Sequence, residues 1–178
     1  MTLTNVTISG NEAAIRGGGM LHAGSFTMTV VNCTIAENLV VTGTGAGGID
    51  FAAPAILGNT LLAHNDNDNC DPVGGLISNG HNLDSGESCG FSSSGDITST
   101  LPLIGPLADN GGPSTGLGQV MLTHALLGGS PAIDAGACVP GVTADQRGVT
   151  RPYGDGCDIG AYEFTGYAVF LPLVRRGH

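Results

Sequence analysis

Polar and apolar residues alternate in a short segment that recurs three times in the first third of the chain. The copies read Asn5-Val6-Thr7-Ile8-Ser9-Gly10-Asn11, Asn32-Cys33-Thr34-Ile35-Ala36-Glu37-Asn38 and Asn59-Thr60-Leu61-Leu62-Ala63-His64-Asn65. Val6 and Ile8 match Cys33 and Ile35, then Thr60 and Leu62, a period of two in a segment too short for a stable helix. The leading Asn residues stand at 5, 32 and 59, so the repeat length is 27 in both steps. A strand-sized unit recurring at that distance predicts a solenoid, because one rung cannot bury its apolar face alone. Asn5, Asn32 and Asn59 open the segments and Asn11, Asn38 and Asn65 close them. Stacked amides can hydrogen-bond along the axis, and Asn tolerates the left-handed backbone of a corner.

Between these segments lie Gly17-Gly18-Gly19 and Gly45-Ala46-Gly47-Gly48, each followed by a short apolar run, Met20-Leu21 and Ile49-Asp50-Phe51. The second copy is longer up to the end of its Gly cluster and shorter after it, so the period survives. The predicted fold is all-β, a right-handed parallel β-helix with a loop-rich, disulfide-stapled C-terminal cap. Its rungs occupy 1–95, with the repeat in 5–65, then a capping region over 96–164 and a tail over 165–178. The only stretch with helix punctuation is Leu122–Gly128, read as one or two turns. An upstream coil of a longer parent chain is expected, because the first rung starts without a cap and no signal peptide precedes it.

Composition narrows the function. The formal net charge is −10, and the five basic residues are all Arg, at 16, 147, 151, 175 and 176. Nucleic acid is thereby argued against, since phosphate recognition needs a basic face. The chain has 31 Gly, 4% aromatic and 11% charged residues, and no stretch is apolar for long enough to span a membrane. Low charge with abundant Asn, Thr, Ser and Gly points to an exported protein, secreted or at a bacterial cell surface. Cys70 and Cys89 form one local pair and Cys138 and Cys157 another; both read as disulfides. Cys33 falls on an inward position of a rung and reads as a small buried side chain.

From Asn59 to Phe164 the motifs become specific. Asn69-Cys70, Ser78-Asn79-Gly80-His81-Asn82-Leu83, Ser88-Cys89-Gly90-Phe91 and Gly95-Asp96 come first, then the Pro102–Pro113 run. Thr123-His124-Ala125-Leu126, Gly129-Ser130-Pro131-Ala132-Ile133-Asp134-Ala135-Gly136 and Asp145-Gln146-Arg147-Gly148 follow, and Arg151-Pro152 and Cys157-Asp158-Ile159-Gly160-Ala161-Tyr162-Glu163 close the series. The ensemble resembles the choice-of-anchor Q domain proteins. That resemblance implies a right-handed parallel β-helix of bacterial surfaces and secretions, with this segment at its C-terminal end and an anchoring tail beyond. It implies no enzymatic activity. Ser114–Val120 departs from the pattern and is expected to be a surface loop.

The cap collects Asp134, Asp145, Arg147, Arg151, Asp158 and Glu163 on a Gly- and Pro-rich scaffold. Arg and carboxylates in such a setting pair with each other and with turn amides, so Arg147 or Arg151 is expected to meet Asp134 or Asp158 while the cap stops the last rung. The rival function is a carbohydrate-active enzyme, either a polysaccharide lyase or a glycoside hydrolase, on missing upstream coils or on the 66–71 loop. Such an enzyme needs acids stacked on neighbouring rungs. Glu12 and Glu37 do not stack at the 27-residue period, and no paired-acid ladder is visible. In Asn65–Asp71, Asp66, Asp68 and Asp71 resemble the start of a calcium loop, without the Gly and distal Glu of an EF-hand. The same run also reads as an Asx-rich turn leading into a disulfide loop. His22, His64, His81 and His124 are scattered, and no other cofactor is implied. The reading is thus a non-enzymatic scaffold or adhesin-like module, with a polysaccharide or cell-surface glycan as its candidate partner. The tail Tyr167–Arg176 reads as an anchoring segment or one more edge strand.

Overall fold

A computed structural model of the chain describes residues 1–116 and 118–166; the predicted tail strand and the Arg175-Arg176 pair lie outside the described residues. The described chain is all-β, with no helix. Its parallel sheets are short and lie side by side along successive passes. One contains Thr2–Thr4, Met28–Val31, Ala55–Gly58 and Leu76–Ser78. A second contains Thr7–Ser9, Thr34–Ala36, Leu61–Ala63 and Leu83–Asp84. The third contains Met20–His22, Ile49–Phe51 and Cys70–Asp71, while Glu12–Ala13 pairs with Leu39–Val40.

The register carries the repeat. Thr2 lies opposite Thr29 and Thr29 opposite Ile56; Thr7 lies opposite Thr34 and Thr34 opposite Leu61. In the third sheet Met20 meets Ile49, two residues beyond the period, as the lengthened Gly cluster requires. The next pass is shorter everywhere: Ile56 meets Ile77, Leu61 meets Leu83 and Asp50 meets Asp71.

The alternating positions face inward as the pattern predicts. Cys33, Ile35, Leu62, Met28, Val30, Leu57, Ile49 and Phe51 are buried in one apolar cluster, with Val6 and Ile8 packed at its edge. Area removed from water stabilises the stack at roughly 25 cal/mol per Å². The two Asn series divide their labour. Asn5, Asn32 and Asn59 hold the left-handed corners, with φ of 55, 51 and 50°. Asn11, Asn38 and Asn65 instead form an amide ladder, and the left-handed turn beside them falls on Gly10, Glu37 and His64. Asn11 donates its side-chain N–H to Asn38 Oδ1 (3.0 Å), Asn38 to Asn65 Oδ1 (2.9 Å), and Asn65 to Asn69 Oδ1 (2.8 Å). Asn69 ends the series on the buried carboxylate of Asp84 at 2.6 Å. A run of dipoles aligned one way is stabilised by a negative charge at its acceptor end.

One expectation about 96–164 needs correction. Thr123–Leu126 is a strand, antiparallel to Ile104–Ala108, rather than a helical turn. Thr123 and His124 are both buried there, so the segment is fixed by packing on both faces and local helix punctuation loses. The N-terminal end of the predicted capping region meets the end of the stack. The last pass is followed by 85–99, where Ile97 bridges to Leu83 and Asp96 accepts from the Asn82 backbone N–H at 2.8 Å. Residues 104–164 lie instead along the flank of the second sheet. Leu61, Ala63 and Leu83 pack there against Leu126, Ala132 and Ile159 in a second apolar cluster. That sheet is therefore covered on both faces, which explains why Leu61-Leu62-Ala63 loses its alternation. The Ser114–Thr115 and Gln119–Val120 strands pair antiparallel.

Candidate functional site

The flanking segment is tied to every pass of the stack through backbone groups and polar side chains. Asn5 donates to the Ala144 carbonyl (2.8 Å) and Thr7 to Gln146 Oε1 (2.6 Å). Ser9 Oγ lies 2.8 Å from His124 Nε2, whose Nδ1 lies 2.8 Å from the Gly105 carbonyl. A carbonyl only accepts, so Nδ1 carries the proton, Nε2 is the acceptor, and the Ser9 hydroxyl donates to it. Further along, Ala161 N–H donates to Thr34 Oγ1 (3.0 Å) and Gly160 N–H to the Asn59 carbonyl (2.9 Å). Asn59 and Ala137 exchange two hydrogen bonds, and His81 Nδ1 donates to the Ala135 carbonyl at 2.8 Å. Residues 104–164 thus form a clasp along the stack.

Inside the clasp the arginine pairing differs from the expected one. Arg151 pairs with Glu163 (2.6 Å) and Arg147 with Asp145 (2.8 Å). Arg151 also donates to the carbonyls of Asp158 and Gly160, and burial pulls its guanidinium below the ordinary value against the pull of Glu163. Arg147 lies 3.5 Å above the Tyr162 ring. Asp145 accepts from the backbone of Arg147, Val149 and Glu163. Asp134 accepts from Gly156 N–H, while Asp158 accepts from the backbone of Asp134 and Phe164. Asp134 and Asp158 thus engage backbone amides across the clasp, 22 and 24 residues away in sequence, and the Arg residues find the other two acids. Burial pushes the Asp158 carboxyl up to about 6. Cys70–Cys89 and Cys138–Cys157 are both disulfide-bonded, as the pairing of the sequence predicts. Cys33 is a buried free thiol whose pKa burial raises to about 11, which makes it inert.

The proposed calcium loop is not assembled. Asp66 Oδ2 faces the Val40 N–H at 3.4 Å, Asp71 lies within the third sheet, and no group of three or more His, Cys, Asp or Glu side chains among the described residues is placed to hold a metal ion. A cleft of about 130 Å³ between Asn59, Asn79 and Val139 is lined without a titratable side chain and offers no chemistry.

A different acidic pair does form. Asp50 and Asp71 are register partners on adjacent strands, so the statement that no acids stack is corrected. The shortened third pass hides the pair from the sequence, because the 27-residue step carries Asp50 onto Ile77 instead. Ile49 and Phe51 are in the core, which places the intervening Asp50 side chain on the outer face. It is only 2% exposed, yet its Oδ2 has no hydrogen-bond partner. Arg16, its side chain half-exposed, lies over it with NH1 3.6 Å from Oδ1. Gly45 makes room for Arg16, since a Cβ there would sit 2.3 Å from the Arg16 Cβ. Burial raises the Asp50 carboxyl above its ordinary range, Arg16 opposes this and Asp71 adds to it. The arrangement can accept hydrogen bonds from a ligand at two neighbouring carboxyls and donate one from Arg16.

No protein-family model, curated protein or solved structure matches this chain. The functional reading therefore stands on the geometry. No helix among the described residues is long and apolar enough to cross a membrane.

Proposed function

We propose that the chain is part of a right-handed parallel β-helix of the choice-of-anchor Q kind, a non-enzymatic, adhesin-like scaffold that is exported and contacts glycans. The observation that carries this reading is the use of charge in the clasp. Arg151, Glu163, Asp145 and Asp158 are buried, and each is engaged with backbone or with one another. Groups so committed hold a shape and are not free to exchange protons with a substrate. Two disulfides fit an oxidising compartment. Among the described residues Thr2–Thr4 and Thr7–Ser9 each pair on one side only, which leaves an open parallel sheet edge.

The rival reading, a polysaccharide lyase or glycoside hydrolase, is favoured by one observation, the Asp50–Asp71 pair. A panel of neutral and acidic polysaccharides, incubated with oxidised protein with and without calcium, separates the two. The scaffold reading expects no new reducing or unsaturated ends. Their release, abolished by D50N or D71N, would replace it with the enzyme.

A further inference from the structure

The geometry points to Asp50, Asp71 and Arg16 as a binding site for the vicinal hydroxyls of a neutral saccharide. The inference rests on the glycan-contacting part of the reading above and locates it. Asp50 Oδ2 is a buried acceptor with no donor among the described residues, in a side chain that Arg16 approaches no closer than 3.6 Å. An unsatisfied buried acceptor is costly, and a ligand that supplies a donor recovers that cost on binding. Asp71 stands one strand away at a spacing of about 4.8 Å, which suits hydroxyls on adjacent sugar carbons. Arg16 is half-exposed and loosely held at 3.6 Å, so it can lift from Asp50 and donate to a ring or hydroxyl oxygen. Leu21, next in the same column and 47% exposed, offers an aliphatic surface to the C–H face of a sugar ring.

Charge selects the class. The site carries two carboxyls and one Arg on a chain of net charge −10, which disfavours uronates and other anionic glycans. A calcium ion wants six to eight oxygens, and no such group is assembled here. Burial that favours a protonated Asp50 would let that carboxyl donate as well as accept.

The test is calorimetric titration and saturation-transfer NMR with neutral gluco-, manno- and galacto-oligosaccharides, an oligogalacturonate, a Lys-rich peptide and calcium alone. The wild-type chain is expected to bind at least one neutral oligosaccharide in the presence of EDTA. D71N and R16A should each weaken that binding about tenfold, as expected for a lost charge-assisted hydrogen bond. D50N should do the same while melting no lower than the parent, because Oδ2 has no hydrogen bond to lose and the pairing to Arg16 is loose. D109N, in the exposed turn of the clasp, should leave affinity unchanged. Neutral binding that survives D50N and D71N overturns the site but leaves the glycan reading intact. Binding of the oligogalacturonate and of no neutral saccharide overturns the site but leaves the glycan reading intact, whereas no binding of any saccharide, or binding of the peptide or calcium alone, overturns both.

Discussion

Replacing Arg151 with Ala should destabilise the protein more than any other single change in the clasp. The side chain is 1% exposed, and its guanidinium pairs with Glu163 at 2.6 Å and donates to the carbonyls of Asp158 (2.9 Å) and Gly160 (2.6 Å). Its removal leaves Glu163, fully buried, with only the N–H groups of Tyr153 and Asp158 as partners, and leaves two carbonyls short of a donor. Breaking one side of a buried pair costs about 3–5 kcal/mol. For a chain of this length each kcal/mol corresponds to about 2–4 °C, so the melting temperature should fall by roughly 6–20 °C. Differential scanning calorimetry of oxidised protein at neutral pH measures the shift, and R151M with E163Q tests the pairing. The double variant should recover part of the loss, because two neutral groups replace an orphaned charge. The Arg151 effect should change little between low and high salt, since a buried pair is poorly screened. A fall of less than 2 °C, or a double variant no better than R151A, would refute the argument.

Reducing the disulfides should lower the melting temperature, each closed loop of sequence separation 19 being worth about 3 kcal/mol. C138S/C157S should show the clasp's share and C70S/C89S that of the last pass, both read by calorimetry. Native protein should leave Cys33 unmodified by iodoacetamide, and labelling should appear only on unfolding, as mass spectrometry would show. Replacing Asn38 with Ala removes the middle of the amide ladder, where the side chain accepts from Asn11 and donates to Asn65, and should cost about 2–4 kcal/mol in urea unfolding. Stability should rise as pH falls from about 7 to 5. The folded Asp158 carboxyl titrates near 6, above its ordinary 3.8, so its contribution is fully present below the ordinary value and is lost as pH rises through about 6. The difference is worth roughly 3 kcal/mol, and D158N should flatten the urea-unfolding profile over that range.

The stack was legible because its signals are local and repeated. Inward residues alternate, the corner Asn positions recur, and Gly clusters announce Met20–His22 and Ile49–Phe51. The disulfides were legible from pairing alone. What escaped depends on distances that no local pattern encodes. The third pass is shorter, so Asp71 sits beside Asp50 although the 27-residue step points to Ile77. The clasp runs along the flank because Leu61, Ala63 and Leu83 present a second apolar face, and only the outward half of Leu61-Leu62-Ala63 hinted at it. The arginine partners were missed for a similar reason: Asp134 and Asp158 accept from amides 22 and 24 residues away, contacts that no local pattern encodes, leaving Glu163 for Arg151. Asp84, which ends the amide ladder, stands outside the motifs that the sequence singled out.

The account turns on the clasp and the stack forming one structural unit, and native-state hydrogen exchange tests that most directly. Ala161, Ala137 and Gly160 donate their amide protons across the junction to Thr34 and Asn59. They should exchange as slowly as the amides of Leu61 and Thr34 within the second sheet, with a common opening free energy. Exchange of those three amides orders of magnitude faster than the sheet would mean that the clasp opens independently, and would contradict the account.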